Sequence, residues 1–321
     1  MPPPVPAGTA EEVFRVPFSF FSFVRTLGMT GGRVCDMVSF FKLSGMVGHD
    51  QKMGKDMHVI VCVKQVPDTT NVRINPETNT LMREGVESII NPYDEYALEE
   101  ALKLKDKHGA RVSVITMGPP QADVVLREAM ARGADDGVLL TDRAFAGADT
   151  LATSYAIAQA IKKINAKPDL VLFGKQAIDG DTAQVGPGVS EFLNCSLVTY
   201  VQSLEVSGDT FTVETHMDDG TDVIEGKLPA VMTVVKEAST PRFSSLSGWM
   251  TSKRADIPKW GAAEVKAVKE MIGLDGSPTK VVKIFAPPVK TGGVRVDGRE
   301  SPDAAVKAIV KALQDKGVVK S

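Results

Sequence analysis

The chain has 321 residues, of which 43% are hydrophobic and 24% are charged, and its formal net charge is −3 at pH 7. This composition is typical of globular proteins and excludes a collagen, a coiled coil and a chain that is disordered throughout. The balanced charge also excludes the basic surface that nucleic acids or anionic membranes attract. The length predicts one large or two modest domains.

Cysteine and histidine are scarce. Cys35, Cys62 and Cys195 are far apart and form no CxxC pair, so we expect a reducing compartment and no disulfide framework. The four histidines do not cluster and no HExxH motif occurs, so no metal site is expected. The chain also lacks an apolar run of about 18 residues, so we expect no membrane insertion.

The first 56 residues differ in composition from the rest, since they hold seven of the 13 phenylalanines and open with three prolines at 2–4. We interpret 1–56 as a disordered extension or the result of an upstream start, because Met57 directly precedes the first predicted strand. A targeting peptide is an alternative, although acidic residues such as Glu11 and Glu12 argue against it. A further alternative is a Phe-rich helix that docks on a partner or membrane surface.

From Met57 onward, short β-branched strands alternate with helices. Residues 59–63 read Val-Ile-Val-Cys-Val, which is typical of a strand buried on both faces. The alternation predicts a parallel, doubly wound sheet with helices on both faces. The predicted strands are 59–63, 111–116, 137–140, 169–173 and 229–235, and the predicted helices are 93–108, 120–132, 149–165, 182–193 and 302–316.

The pattern changes twice after residue 196. Residues 211–215 and 221–224 predict a hairpin around Asp219-Gly220, with a connection longer than two residues. From residue 236 the strand–helix rhythm stops, although apolar residues continue. We therefore interpret 57–235 as a nucleotide-binding α/β domain and 236–321 as an arm that lies on something else.

The loop 174–188, GKQAIDGDTAQVGPG, is the strongest candidate for a ligand site. It follows a predicted strand at the carboxyl edge of the sheet, where open α/β sheets bind ligands. It matches neither GxGxxG nor a P-loop, so a standard dinucleotide or NTPase site is not expected. The SGGxD loop of adenylate-transferring enzymes is absent after the first strand as well. The alternative is an ordinary strand–helix loop that contains glycine.

The helix that follows this loop is expected to bind an anion. Gly180 can take a positive φ, and Asp181 can cap helix 182–193 with Gln184 as its capping-box partner. The N–H groups of that N-terminus would bind a phosphate or pyrophosphate. We expect Pro187 to kink the helix.

Protein-borne catalysis is not indicated. Asp179 and Asp181 are expected to cap the loop and helix rather than to act as an acid–base pair. Lys175 either neutralises a phosphate or is solvated, and Cys62 is expected to be buried and inert. We therefore predict no catalytic residue, and a bound cofactor would carry any redox chemistry.

Residues 57–321 resemble the beta subunit of electron-transfer flavoproteins. The resemblance implies an α/β fold with a doubly wound, mostly parallel sheet of the adenine nucleotide α-hydrolase-like kind, and a C-terminal arm that embraces a partner. It also implies a heterodimer with an alpha subunit. The matching pieces are VIVCVKQVPDT (59–69), INPYDEYALEEALKLKD (90–106), VITMGPP (114–120), GADTLATS (147–154), GKQAIDGDTAQVGP (174–187) and KLPAVMTV (227–234).

The resemblance also implies an adenine-nucleotide site at the strand ends. The positions that match the nucleotide contacts of the family are Cys62, Asn91, Pro92, Tyr93, Asp94, Met117, Gly174, Lys175, Gln176, Ala177, Ile178, Asp179, Gly180, Asp181, Thr182, Ala183, Gln184 and Val185.

The family divides over the ligand. Housekeeping members hold AMP here, whereas bifurcating members hold a second FAD that takes electrons from NADH and divides them. One electron goes to ferredoxin or flavodoxin, and the other goes through the alpha-subunit FAD to an acyl-CoA dehydrogenase or a quinone-linked partner. Gly180 and its small neighbours favour FAD, as does the tail 253–258, and Asp222 and Glu225 depart from the housekeeping pattern. The alternatives are an AMP-binding carrier and a relative devoted to nitrogen fixation or carnitine metabolism.

The arm is expected to dock on partners. By resemblance, residues 240–246 match the loop that docks on the dehydrogenase, with Arg242 and Phe243 in the loop and Leu246 as the anchor. The alternative is that Leu246 packs on its own subunit. Residues 276–321 are expected to embrace the alpha subunit. The expected compartment is the cytoplasm, or a mitochondrial-type organelle if 1–56 is a targeting segment.

Overall fold

The computed structural model describes residues 57–68, 73–74, 81–82, 88–282 and 294–319, so the predictions for 1–56 lie outside the described residues. Within these ranges one nine-stranded sheet dominates, and two small two-stranded sheets flank it. The strands are β1 (His58–Cys62), β2 (Gln65–Pro67), β3 (Arg73–Ile74), β4 (Leu81–Met82), β5 (Ser88–Ile90), β6 (Arg111–Met117), β7 (Asp136–Leu140), β8 (Leu170–Gly174), β9 (Ser196–Ser207), β10 (Thr210–His216), β11 (Thr221–Lys227), β12 (Ala230–Val234) and β13 (Lys259–Trp260).

The helices begin and end at residues with clear local reasons. Pro92 occupies the first turn of the first helix, and Gly109 ends that helix in a left-handed conformation with φ 70°. Asp149 caps the third helix by accepting hydrogen bonds from the N–H groups of Leu151 and Ala152. The helices are α1 (Pro92–His108), α2 (Asp123–Arg132), α3 (Thr150–Ile164), α4 (Val185–Leu193), α5 (Leu246–Arg254) and α6 (Pro302–Asp315).

The strand order confirms the predicted mostly parallel, doubly wound sheet. The order is β11-β10-β9-β12-β8-β1-β6-β7-β13, and only the β9–β10 and β10–β11 pairs of the described sheet are antiparallel. From β1 the chain moves outward through β6 and β7, then returns to place β8 on the other side of β1. The direction of winding therefore reverses between β1 and β8, which is where sheets of this kind open a ligand crevice.

The core lies on both faces of the sheet, as strand β1 shows. Val59 and Val61 belong to a cluster with residues of α1 and α2, whereas Ile60 and Cys62 belong to a cluster with residues of α3. All five β1 residues are buried, which confirms the prediction for this segment. Burial of one large aliphatic side chain contributes roughly 1.5–3 kcal/mol, so the paired layers fix β1 firmly.

Helix α4 corrects the prediction for 182–193, because it begins only at Val185. Asp181 and Ala183 have φ values of 50° and 53°, and left-handed backbone at these positions is incompatible with a right-handed helix. Pro187 therefore lies in the first turn of α4, where its missing N–H group would have no helical partner. The predicted kink at Pro187 is wrong for the same reason.

The predicted hairpin is confirmed as β10 and β11, joined by the four residues 217–220. The long strand β9 was not among the predicted strands. It pairs with β10 on one side and β12 on the other, and it carries the antiparallel part of the sheet.

The first part of the segment after residue 236 belongs to the sheet domain, and its last part does not. Strand β13 adds to β7 at the edge, and Ile257, Val265 and Ile272 are buried in the two cores. By contrast, no described residue of α6 is buried. The predicted boundary at 235 therefore does not coincide with the edge of the sheet.

Candidate functional site

Asp94 ties together the two strands at the point where the winding reverses. Its carboxylate accepts hydrogen bonds from the N–H groups of Lys64, just after β1, and Gly174, the last residue of β8, at 2.8 and 3.2 Å. Burial raises the pKa of Asp94 to about 7, although hydrogen bonds from Asn91, Lys64 and Gly174 act in the opposite direction. The crevice between β1 and β8 is therefore fixed by one buried acid.

Gly174 is required by this close packing. A Cβ atom at this position would lie 2.4 Å from Oδ1 of Asp94 and 2.5 Å from the carbonyl carbon of Tyr93. The loop can leave β8 against the start of α1 only because residue 174 has no side chain.

Asn91 holds the first part of the loop through two hydrogen bonds. This residue is fully buried, and its amide Nδ2 donates to the carbonyl oxygen of Gln176 at 2.8 Å. Its Oδ1 accepts the N–H of Ile178 at 3.1 Å. The buried amide thus uses both its donor and its acceptor to fix the position of the loop relative to the sheet.

Two polar pairs hold the middle of the loop. The Nζ of Lys64 lies 2.7 Å from Oδ1 of Asp179, and the Nε2 of Gln176 donates to Oδ1 of Asp181 at 2.8 Å. The predicted capping roles of Asp179 and Asp181 are therefore wrong. The N-cap of α4 is Gln184, whose side chain makes no capping hydrogen bond, so the predicted capping box is wrong too.

The backbone before α4 is suited to an anion. Ala183 is left-handed, and Gln184 follows with φ −106° and ψ −15°; such alternation arranges neighbouring N–H groups around a concavity. No side chain caps α4, so the positive end of its dipole is available to a ligand. A Cβ atom at Gly188 would lie 2.4 Å from Oγ of Ser154, so α4 sits tightly on α3.

Gly180 differs from Gly174, since the protein itself does not need a glycine there. Gly180 is not among the described residues with a positive φ, which corrects the expectation for it. A Cβ atom on it would meet nothing within 4 Å. The loop therefore has open space beside residue 180.

The remaining predicted contacts lie around this crevice. Cys62 is buried in β1, as predicted, and burial raises the pKa of its thiol, with a smaller contribution from the Asp94 charge. Met117 ends β6 and is half-buried. The Nζ of Lys175 lies 5.4 Å from the ring centre of Tyr200. Within the described ranges, no cluster of His, Cys, Asp or Glu side chains could hold a metal ion.

A second candidate site is the segment 242–254, which we call the docking segment because it begins within the loop predicted to dock on the dehydrogenase. Its first residue, Arg242, donates through Nε and Nη2 to the buried carboxylate of Glu99 at 2.9–3.1 Å and through Nη2 to Asp106 at 2.8 Å. The Arg242 guanidinium thus anchors the segment to α1, and its side chain is one-third exposed. Phe243 is 97% exposed and Leu246 is 75% exposed, so the alternative that Leu246 packs on its own subunit does not hold.

Helix α5 within the docking segment is fixed at both ends. Ser245 caps it by accepting the N–H of Gly248 at 2.9 Å, and Arg127 donates to the carbonyl of Ser252 at 2.7 Å. Trp249 and Met250 are also exposed, one turn after Leu246. The result is an apolar face on a rigid base.

No helix in the described ranges combines the length and apolarity that crossing a bilayer requires.

Sequence reasoning did not single out two residues that hold these sites in place, Lys64 and Glu99. Each lies in a stretch that was recognised, but its partner is 115 or 143 residues away in the chain. No local pattern reports a pairing of that span.

Comparison with known proteins places the chain in a family. Residues 78–265, more than half of the chain, match the model of the electron transfer flavoprotein domain. A protein of Clostridium acetobutylicum, electron transfer flavoprotein subunit beta, is 51% identical over 259 residues, which cover 81% of this chain and 99% of that protein.

Two further relatives have more specific names. The subunit CarD of the caffeyl-CoA reductase–Etf complex of Acetobacterium woodii is 47% identical over 82% of this chain and 100% of its own length. The protein FixA of Sinorhizobium fredii is 46% identical over 81% of this chain and 90% of its own length. The chain therefore belongs to the electron transfer flavoprotein family, as a beta subunit that works with an alpha subunit in a heterodimeric electron carrier.

Proposed function

We propose that this beta subunit binds FAD at the loop 174–188 and takes part in electron bifurcation. Electrons from NADH would be divided between ferredoxin or flavodoxin and, through the FAD of the alpha subunit, an acyl-CoA dehydrogenase or a quinone-linked partner. The observation that carries the proposal is Gly180, which neither backbone strain nor crowding requires, in a loop with open space beside it. A glycine that the fold does not need is explained by a ligand that approaches the backbone closely.

Bound FAD would supply the change between two-electron and one-electron chemistry, and the chain's own residues would bind and orient it. The N–H groups around Ala183 and Gln184 would hold the pyrophosphate, together with the N-terminus of α4. Asn91 and Asp94 would keep the loop at a fixed height above the sheet, so that the ligand meets a preformed site.

The name of one relative supports a partner that acts on acyl-CoA substrates. The Acetobacterium woodii relative is a subunit of a complex with a caffeyl-CoA reductase. In this chain the partner would seat on Phe243 and Leu246, which are exposed on an anchored base. Residues 276–321 would embrace the alpha subunit, since Val306, Ile309 and Val310 of α6 are exposed. The cytoplasm is the compartment that we propose.

The second candidate is a subunit that holds AMP and has no flavin of its own. The alternating backbone at Ala183 and Gln184 suits one phosphate as well as two. In that case this subunit would be the structural and docking half of an ordinary carrier, and the single flavin would belong to the alpha subunit.

The FAD and AMP content of the purified heterodimer separates these candidates. Two FAD and no AMP per heterodimer are expected, and NADH oxidation is then the next assay. One FAD and one AMP would overturn the proposal and establish the second candidate.

A change at Gly180 tests the loop directly. Gly180→Asp should lower the FAD content of the heterodimer to about half of the total, because a carboxylate would stand beside the pyrophosphate and fill the open space. Gly220→Asp is the matched control, since Gly220 lies in the β10–β11 connection and also has nothing within 4 Å of its Cβ position. Equal flavin content in both variants would contradict the role given to Gly180.

A further inference from the structure

The chain that follows the docking segment is fastened along one side of the sheet domain. We call residues 259–279 the strap. It begins as β13, which pairs with β7, and it buries Val265 and Ile272 in the core beside α3. Directly after Ile272 the strap turns at Gly273, which has a φ of 56° and where a Cβ atom would collide with the carbonyl oxygen of Ala144. The strap is therefore closely packed on the sheet domain up to this turn.

Helix α3 holds the strap at intervals along its length. Near the end of α3, the Nζ of Lys163 donates to the carbonyl oxygen of Glu264 at 2.8 Å. Further back in α3, the hydroxyl of Tyr155 accepts the N–H of Val268 at 3.1 Å. The strap thus runs towards the N-terminus of α3, which follows β7 and lies at the carboxyl edge of the sheet. The residue that meets the strap there is Asp149, the N-cap of α3.

Asp149 divides its two carboxylate oxygens between two tasks. Its Oδ1 caps α3 by accepting the N–H groups of Leu151 and Ala152 at 3.0 and 3.2 Å. Its Oδ2 accepts the N–H and the hydroxyl of Thr279 at 3.1 and 2.9 Å. The N–H of Asp149 also donates to Oγ of Ser277 at 2.8 Å. One residue therefore both starts a helix and holds the end of the strap.

The charge of Asp149 makes this division of tasks specific. Although burial acts to raise it, hydrogen bonds from Ala152 and Thr279 hold the pKa of Asp149 below its ordinary value. The side chain is therefore a carboxylate at neutral pH, with two acceptor oxygens and no donor. An asparagine could keep the cap through its oxygen, but its Nδ2 would then face the N–H of Thr279, which is also a donor.

The end of the strap is the place where the proposed contact with the alpha subunit begins. Residues 276–321 are proposed to embrace that subunit, and no described residue of α6 is buried within this chain. Helix α6 nevertheless presents Val306, Ile309 and Leu313 as exposed apolar residues at helical spacing. A contact that fixes the strap at Thr279 therefore fixes the point from which the chain continues towards this apolar helix.

We propose that Asp149 is a positioning residue for the assembly of the heterodimer. By holding Ser277 and Thr279, it sets the direction in which the arm leaves the sheet domain before the alpha subunit binds. Such preorganisation raises affinity, because the ordering of the segment is not added to the cost of binding. The inference rests on the proposed role of residues 276–321, and it does not depend on whether the loop 174–188 holds FAD or AMP.

Hydrogen exchange of the heterodimer tests the contact itself. In Asp149→Asn, the amide of Thr279 should exchange at least about tenfold faster than in the parent protein, because its acceptor is lost. The amides of Leu151 and Ala152 should keep their protection, since the asparagine oxygen still caps α3. If these two amides also lose protection, the cap has been disturbed, and Thr279→Val, which removes the hydroxyl and leaves the cap intact, decides in place of Asp149→Asn.

The matched control is Asp142→Asn. Oδ2 of Asp142 accepts the N–H of Ala262 at 3.0 Å, so this aspartate also holds the strap through a single oxygen. Its contact is at the beginning of the strap, which the pairing of β13 with β7 holds as well. Exchange at Thr279 and the affinity for the alpha subunit should therefore remain those of the parent protein.

The Kd of the heterodimer, measured with a fluorescently labelled alpha subunit, tests the consequence for assembly. Asp149→Asn should raise the Kd about tenfold, which corresponds to one lost hydrogen bond to a charged group, and Thr279→Val should raise it about threefold. An unchanged Kd in both variants would overturn the proposal, and so would unchanged exchange at Thr279.

The role of the arm is checked by a separate variant, Ile309→Asp, which places a charge on the exposed apolar face of α6. A Kd that rises in Ile309→Asp but not in Asp149→Asn or Thr279→Val would overturn the positioning role alone. A Kd that is unchanged in Ile309→Asp would overturn the proposed contact between the arm and the alpha subunit, and this inference with it.

Discussion

The proposed nucleotide loop 174–188 and the proposed docking segment 242–254 are held in place in different ways. The loop is held from inside the protein, by the buried Asn91 and Asp94, and the features it offers to a ligand are backbone groups. The docking segment is held by an ion pair at its base, where Arg242 meets Glu99, and what it exposes is apolar side chains. A small anion is bound through N–H groups fixed in space, whereas a protein partner is bound through exposed anchors.

This difference determines where each site is vulnerable. In the loop, the supporting residues are buried and close-packed, so substitutions there should disturb stability and ligand binding together. In the docking segment, Phe243 and Leu246 are exposed, so their substitution should weaken the binding of a partner and leave stability almost unchanged.

The largest effect should come from the pH dependence of Asp94. Its folded pKa of about 7 is above its ordinary value of 3.8, so the stability it contributes is complete below about pH 4 and is lost as the pH rises through 7. Relative to Asp94→Asn, the parent protein should therefore lose about 4 kcal/mol of unfolding free energy between pH 4 and pH 8. Urea unfolding of the heterodimer at one protein concentration and several pH values measures this.

The control for this experiment is Asp219→Asn, which removes an exposed acid from the β10–β11 connection and should leave the pH profile of the parent protein in place. Parallel profiles for the parent protein and Asp94→Asn would contradict the raised pKa. A difference that increases at low pH would show that the carboxylate, and not the acid, is the form the fold prefers.

A slightly smaller effect is expected for Gly174→Ala. The added Cβ would lie 2.4 Å from Asp94, so the carboxylate or the start of α1 must move. Overpacking of this kind costs about 3 kcal/mol, and the displaced loop should also lose its nucleotide. Thermal unfolding and nucleotide content measure both effects. Gly220→Ala has open space at its Cβ position and should change stability by less than about 0.5 kcal/mol. A stable, nucleotide-loaded Gly174→Ala protein would refute the close-packing argument.

Arg242→Ala should affect stability and docking together. It would leave the buried carboxylate of Glu99 without its main partner, which costs about 2 kcal/mol after allowance for the one-third exposure of the Arg242 side chain. Because the docking segment would also lose its ion pair with α1, the KM for the partner dehydrogenase should rise. Arg242→Lys keeps the charge but loses the bidentate geometry, so its stability and its KM should lie between those of the parent protein and those of Arg242→Ala. If Arg242→Ala docks normally and is fully stable, the ion pair does not position the segment.

The sequence predicts the parts of this molecule that depend on local patterns. The apolar runs locate β1, β6, β7, β8 and β12, because strands buried on two faces need apolar residues throughout. Gly109 marks the end of α1, because a left-handed C-cap favours glycine. Strand β9 was missed, since its residues are mostly exposed or half-buried and lack the continuous apolar run of the central strands.

The start of α4 was predicted wrongly for a related reason. Asp181-Thr182-Ala183-Gln184 has the residues of a capping box, but the left-handed backbone at Asp181 and Ala183 delays the helix. The loop that carries this conformation is also held by Asn91, some 90 residues earlier in the chain. The resemblance predicts which residues form the site, whereas the contacts that hold the loop are long-range ones such as Lys64–Asp179.

The smallest effect on stability should come from Leu246→Ala, which tests whether an exposed residue of the docking segment binds the partner without stabilising the fold. Leu246 is 75% exposed, so its truncation should change the unfolding free energy by less than about 0.5 kcal/mol. Loss of an anchor that fills a partner's pocket costs about 1.4 kcal/mol or more, so the KM for the dehydrogenase should rise about tenfold.

The flavin content and NADH-driven flavin reduction of Leu246→Ala should remain those of the parent protein, because the nucleotide loop is anchored through other residues. Val223→Ala, which truncates an exposed apolar residue on β11, is the matched control and should leave all of these measurements unchanged. If Leu246→Ala lost both electron transfer to the dehydrogenase and flavin reduction, the residue would be a structural one, and the independence of the two sites would fail. If it lost neither, the partner would have to seat elsewhere, and Trp249, the next exposed ring on the same face of α5, would be the first residue to truncate.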